Sequence, residues 1–272
     1  MADSAVVLGP GGPVGTAWLA GLAAGLRDEG LDLGTADLIV GTSAGAIVGA
    51  ILASGGDPGR LAALPEPADP GGTVRTDPDR LAEVFATLGD PGIGRAEALR
   101  RVGRLAVTAS TGDPEAAIAR MQFLVGTVNW PDRPLLIPSV DAETGEAVIW
   151  NQHGTASLAE AVAASTAFPA TAPPITIDGR RYIDGALRAG ANVDLAGDAG
   201  VVIVAEPMAH AFGASSTAAG AKVVVRLVPN AEAIKAFGPD ITDRSVWTPA
   251  YQAGVSQAPD AAKRIRACSG VV

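Results

Sequence analysis

The feature that most narrows the fold is a short apolar run, a glycine-bounded turn and an apolar helix, met twice before Ser54. Ala5-Val6-Val7-Leu8 reads as a buried strand and leads into the loop Gly9-Pro10-Gly11-Gly12-Pro13-Val14-Gly15. An apolar helix is expected after it, from Thr16 to about Arg27. Leu38-Ile39-Val40 then enters Gly41-Thr42-Ser43-Ala44-Gly45, followed by a helix through Ala46-Ile47-Val48 to about Ser54. Two consecutive strand–helix units imply parallel strands with helices packed outside them, an α/β fold.

The rest of the chain extends this pattern. Residues from Asp57 to about Asp77 turn to Pro, Gly and Asp, which predicts a loop. Helices are expected over Asp79–Leu88, Arg95–Ser110 and Pro114–Val125, together a helical insertion able to carry a substrate-facing surface or simply to add core. Leu135–Val140 and Glu146–Trp150 flank a polar turn and read as a hairpin. Ser157–Ser165 reads as a small-residue helix, and Ile175–Ile177 with Arg181–Ile183 as a hairpin around Asp178-Gly179-Arg180. Strands at Val201–Ala205 and Lys222–Val228 and helices at Ala231–Phe237 and about Thr248–Ala267 complete the reading. Neither an internal repeat nor a long linker interrupts residues 1–272, so one domain is expected.

Charge and cysteine content exclude several functions. The net charge of −9 argues against nucleic acid and against electrostatic attraction to anionic lipid. Cys268 is the one cysteine, which rules out an internal disulfide or a Cys-based metal site. Met1-Ala2-Asp3-Ser4 lacks the basic stretch of a secretory signal, and no apolar run reaches the roughly 18 residues of a membrane span. The expectation is a cytoplasmic protein whose membrane contact is at most peripheral.

The chemistry centres on Ser43. A Gly-x-Ser-x-Gly pattern is common by chance among 34 glycines, but here strand and helix flank it, the sequence form of a nucleophile elbow. Gly41 and Gly45 relieve crowding at a strained turn, and the following helix presents its positive end to developing negative charge. Such a serine needs a base. His153 and His210 are the two histidines, and chain order alone permits a Ser–acid–His arrangement using His210. Against that, His210 reads as part of a loop, and only two strands precede the serine where an ordinary α/β-hydrolase has several. Asp184, in Tyr182-Ile183-Asp184-Gly185-Ala186, stands at a strand end, and partial burial would raise its pKa toward that of a useful base. Backbone N–H groups of the N-terminal glycine loop can converge on an anion. A dinucleotide-binding loop is the competing reading, but Val14 stands where its last glycine belongs.

Taken together, the loop ending at Gly15, Gly41-Thr42-Ser43-Ala44-Gly45 and Asp184-Gly185-Ala186 resemble the patatin-like phospholipase family. Ala164-Ser165-Thr166-Ala167-Phe168-Pro169 and Ile177–Gly185 are similar to the family's approach to its aspartate. The resemblance implies a three-layer α/β/α fold with a mainly parallel central sheet, and a Ser–Asp dyad that needs no histidine, metal or cofactor. Carried over, Ser43 is the nucleophile, Asp184 the general base, and the N–H groups of Gly11, Gly12 and Val14 the oxyanion hole. Gly15, Gly41, Gly45 and Gly185 support these motifs. The implied substrate is a lipid or a small ester; oligomeric state is open. Two departures stand out: Pro10 replaces the loop's first glycine, and Val14 replaces its basic residue. The lost cation predicts weaker positive potential at the oxyanion site, and a catalytically silent lipid- or partner-binding member is the alternative.

Overall fold

The computed structural model describes residues 2–63, 76–109, 112–215 and 220–269. Most of the expected Pro-, Gly- and Asp-rich loop, residues 64–75, lies outside the described residues, as does Ser110 at the expected helix end. In chain order the elements are β1 (Ser4–Leu8), α1 (Gly12–Asp28), β2 (Leu38–Gly41), α2 (Ala44–Ala53), α3 (Pro78–Leu88), α4 (Arg95–Thr108) and α5 (Pro114–Val125). There follow β3 (Leu135–Asp141), β4 (Ala147–Trp150), α6 (Leu158–Thr166), β5 (Ile175–Ile177), β6 (Arg180–Asp184) and α7 (Ala186–Ala189). The chain ends in β7 (Val201–Ala205), α8 (Ala209–Phe212), β8 (Val223–Leu227), α9 (Ala231–Phe237) and α10 (Trp247–Ser269).

One sheet collects all of these strands in the order β5-β6-β3-β2-β1-β7-β8, with β4 also paired to β3. From β3 to β8 the pairs are parallel, as the two N-terminal strand–helix units require. β4, β5 and β6 add an antiparallel extension. Along β1 the side chains alternate between faces. Val6 and Leu8 enter the main core with α1, α2 and α10, while Ala5 and Val7 face a second cluster built from Ala191, Val193, Ala196 and Ala199. Helices therefore cover one face, and the segment after β6 covers the other. This is the α/β/α layering.

The insertion divides between the two faces. α5 packs Met121 and Val125 into the main core, whereas α3 and α4 set Val84, Leu99, Val102 and Ala106 against Val140 of β3 and Ile183 of β6. Its buried residues serve as core. The turns obey local chemistry: Asp178 (φ 50°) and Gly179 (φ 76°) both hold the left-handed backbone of a two-residue hairpin turn. Ser157 and Glu160 cap α6 reciprocally. Two expectations need correction. α1 starts at Gly12, not Thr16, because Pro13 is preset for a first helical turn. The segment around His210, expected as loop, contains α8. Among the described residues, no helix is long and apolar enough to cross a membrane.

Candidate active site

Sheet register brings the site together. Leu8 and Gly41 are paired neighbours on parallel strands, so the glycine loop and the Ser43 turn leave the sheet side by side. Two hydrogen bonds join them: Thr42 N–H donates to Leu8 O at 3.0 Å, and Gly45 N–H to Gly9 O at 3.2 Å. β2 runs parallel along the start of β3, while β6 runs antiparallel along its end. The C-terminal ends of β2 and β6 therefore converge on the middle of β3. Ser43 follows one end and Asp184 closes the other.

Ser43 is buried, with φ 55° and ψ −116°, a backbone that costs about 1–3 kcal/mol for a residue other than glycine. The flanking glycines relieve crowding at the turn, and the nearest atoms they make room for belong to the backbone. A Cβ on Gly45 would lie 2.0 Å from Leu8 O in the adjoining strand, and one on Gly41 would lie 2.5 Å from Gly45 O. Both therefore permit close backbone contact between the turn and its surroundings.

The Ser43 hydroxyl donates to Asp184 Oδ2 at 2.8 Å, across 141 positions of sequence. Asp184 Oδ1 accepts the Ala186 N–H at 2.8 Å. Burial pushes the Asp184 carboxyl up to about 7, against the opposing pull of the Ala186 N–H and the Ser43 hydroxyl. Desolvation disfavours the carboxylate, and two donors offset only part of that cost. A carboxyl balanced between its two forms near neutrality, bonded to a hydroxyl, has the proton affinity that general base chemistry requires.

The glycine loop divides into two kinds of donor. Among the described residues, no protein acceptor takes the N–H of Gly11 or Gly12. The Val14 N–H donates to Ile241 O at 3.4 Å, so it is directed at the protein itself. Gly15 N–H closes the first turn of α1 onto Gly11 O. The Val14 side chain is fully buried in the main core among the α1 residues. On this backbone the position serves packing. Gly185 leads out of Asp184 over Pro138 O, where a Cβ would lie 2.1 Å away.

Neither histidine joins this group. His153 is exposed on the turn after β4, and His210 is exposed on α8 with its ring centroid 6.0 Å from that of Phe237. Two residues the sequence did not single out do join it. Ser165, buried on α6, accepts the Ser43 N–H at 3.1 Å. Asn192, fully buried beyond α7, donates to Thr42 Oγ1 at 3.0 Å. Among the described residues, no cluster of His, Cys, Asp and Glu side chains could hold a metal ion.

A sequence model of the patatin-like phospholipase family matches residues 6–196, from β1 past Asp184. The chain belongs to the patatin-like phospholipase family. No curated protein matches its sequence. Among solved structures, VipD from Legionella pneumophila is similar over 95% of this chain and 67% of its own, at 13% identity and a TM-score of 0.45. The type III effector protein ExoU is similar over 96% of this chain and 53% of its own, at 16% identity and a TM-score of 0.35. This patatin-like chain thus spans about two thirds of the first protein and about half of the second. The family match ends before β7, yet Pro207, just beyond that strand, packs within 3.1 Å of a Cβ placed on Gly11 or Gly15.

Proposed function

We propose that the protein is a serine-dependent hydrolase of carboxylic esters, using Ser43 and Asp184 through an acyl-enzyme. The observation that carries this reading is the 2.8 Å bond from the Ser43 hydroxyl to a fully buried Asp184. In the first half, Ser43 Oγ attacks the ester carbonyl carbon while its proton passes to Asp184 Oδ2. The carbonyl oxygen becomes an oxyanion, for which the unengaged N–H groups of Gly11 and Gly12 are the proposed donors. Val14 N–H becomes available as a third donor only when Ile241 O withdraws. The tetrahedral intermediate collapses, the ester C–O bond breaks, and Asp184 returns the proton to the leaving alkoxide. In the second half Asp184 takes a proton from water, whose oxygen attacks the acyl carbon. Collapse releases the carboxylic acid, and the proton restores the Ser43 hydroxyl.

Family membership supports a lipid acyl ester as substrate class. A partly exposed aromatic cluster suits that class. The exposed rings of Phe85 and Phe212 stack with centroids 6.2 Å apart, and Phe85 lies 6.0 Å from Phe168. Phe168 follows Ala167, whose carbonyl accepts the Asp184 N–H at 3.0 Å. A second reading, a catalytically silent lipid- or partner-binding member, draws on the Val14–Ile241 contact at the loop that would hold the oxyanion.

Release of fatty acid from zwitterionic phospholipid and of p-nitrophenol from short-chain esters tests the two together. Turnover lost in folded Ser43→Ala and Asp184→Asn is the expected result. A folded wild type that turns over neither substrate, yet binds lipid, supports the silent reading. Turnover that survives in Ser43→Ala overturns the proposed chemistry.

A further inference from the structure

β2 and β6 both pair with β3 but not with each other, so the backbone ladders relate Ser43 and Asp184 only through the intervening strand. On one side the end of α6 ties them: Ser165 Oγ accepts the Ser43 N–H, and Ala167 O accepts the Asp184 N–H. On the other side a single side chain makes the link. Asn192 holds a left-handed backbone, φ 58° and ψ 41°. Its Nδ2 lies 3.0 Å from Thr42 Oγ1, 3.0 Å from Gly185 O and 3.1 Å from Gly190 O. Thr42 precedes Ser43 in the chain, and Gly185 follows Asp184.

The carboxamide can face these oxygens in only one sense. Arg188 Nη1 donates to Asn192 Oδ1 at 2.8 Å. A guanidinium has donors and no acceptor, so only the oxygen end of the amide can turn toward it. Asp194 holds Arg188 in place through two bonds, Nη1 to Oδ1 at 2.9 Å and Nη2 to Oδ2 at 2.6 Å. The amide nitrogen is thereby directed at Thr42 and Gly185, both of which present acceptor oxygens. Thr42 Oγ1 in turn faces Ala191 O at 3.4 Å.

We infer that Asn192 is a positioning residue for the reacting pair: its carboxamide clamps the residues flanking Ser43 and Asp184, and Arg188, held by Asp194, sets the orientation of the clamp. The inference rests on the reading of Ser43 and Asp184 as the reacting groups. Neither Asn192 nor Arg188 touches substrate in this account. Their effect is geometric, and a misplacement of about 1 Å at a reacting centre costs on the order of a hundredfold in rate.

The test compares wild type with Asn192→Gly, Arg188→Met, Thr42→Val, Thr42→Ser and the Asn192→Gly/Thr42→Val double variant. Glycine keeps the left-handed backbone without strain, so the substitution removes the side chain alone. On p-nitrophenyl butyrate, kcat of folded Asn192→Gly is expected to fall roughly 10- to 100-fold with KM within about twofold. Arg188→Met and Thr42→Val should fall in the same sense, and Thr42→Ser, which keeps the hydroxyl, should retain wild-type kcat. The double variant should lose little beyond Asn192→Gly, because both substitutions break one link. Wild-type kcat in folded Asn192→Gly or Arg188→Met overturns the clamp, as do additive losses in the double variant. Should Asn192→Gly fail to fold, Arg188→Met and Thr42→Val carry the comparison. A crystal structure of the same variants reads the claim without turnover: a Ser43 Oγ to Asp184 Oδ2 separation beyond hydrogen-bond range is expected, and an unchanged one refutes it. An inactive wild type that still shows this separation in the variants would overturn the proposed chemistry and leave the clamp standing.

Discussion

Replacing Asp184 with Asn should stabilise the fold, by an amount that grows with pH. Burial pushes the Asp184 carboxyl up to about 7 in the folded protein, against about 4 for a solvated aspartate in the unfolded chain. Below about pH 4 the group is protonated in both folded and unfolded chains, so it adds no pH dependence there. Between about 4 and 7 the unfolded chain loses the proton while the folded chain keeps it. Wild-type stability therefore falls as pH rises through this window and levels off above it. At about 1.4 kcal/mol per pH unit, the accumulated cost reaches about 4 kcal/mol by pH 8. Asn cannot ionise and escapes that cost, and its amide still offers an oxygen to the Ala186 N–H. For a chain of this size, about 2 °C of melting temperature per kcal/mol converts the gain to about 8 °C. That is an upper bound, since water reaching an opened site softens the desolvation. Thermal melts of both proteins from pH 4 to 8, at matched ionic strength, read the difference directly. A melting-temperature gap that stays constant over that range, or narrows toward pH 8, refutes the reasoning. Such a residue trades stability for the proton affinity its proposed role needs.

Three further outcomes follow from the same geometry. The kcat/KM for a soluble ester should rise about tenfold per pH unit below about 7 and plateau above it, as Asp184 ionises; a flat profile from pH 5 to 8 points to another base. Gly45→Ala places a Cβ 2.0 Å from Leu8 O, and forcing the turn off β1 should cost about 3 kcal/mol or more, measured by chemical denaturation. A cost under about 0.5 kcal/mol would mean that the turn is not packed on β1 as described. Val14→Arg should destabilise the protein by several kcal/mol, because the side chain enters the core with no partner for its charge. Raised activity in a stable Val14→Arg protein would restore a role for a cation at the oxyanion loop.

Local chemistry made much of this fold readable. The α5 boundaries, the Asp178-Gly179 turn and the paired N-terminal units follow from proline, glycine and apolar spacing, which act over a few residues. Ser43 was legible from its flanking strand and helix, and Asp184 from its Asp-Gly setting together with the family resemblance. What the sequence hid depends on distant partners. That Gly45 is required by Leu8 O, and that Val14 turns into the core, are facts of how β1, β2 and α1 meet. Asn192 carries no local signal of its link to Thr42, a residue 150 positions away. Ser165 lies inside a stretch similar to the family's, but its hydroxyl gains meaning only when α6 docks against the Ser43 turn. α8 is too short for a periodic pattern to announce it.

The most direct test of the central claim is covalent: fluorophosphonate labelling of the purified protein, with the modified residue located by peptide mass spectrometry. One adduct is expected, on Ser43, absent in Ser43→Ala and formed far more slowly in folded Asp184→Asn. An adduct on another residue, or labelling of Ser43 at the same rate in Asp184→Asn as in wild type, would contradict it.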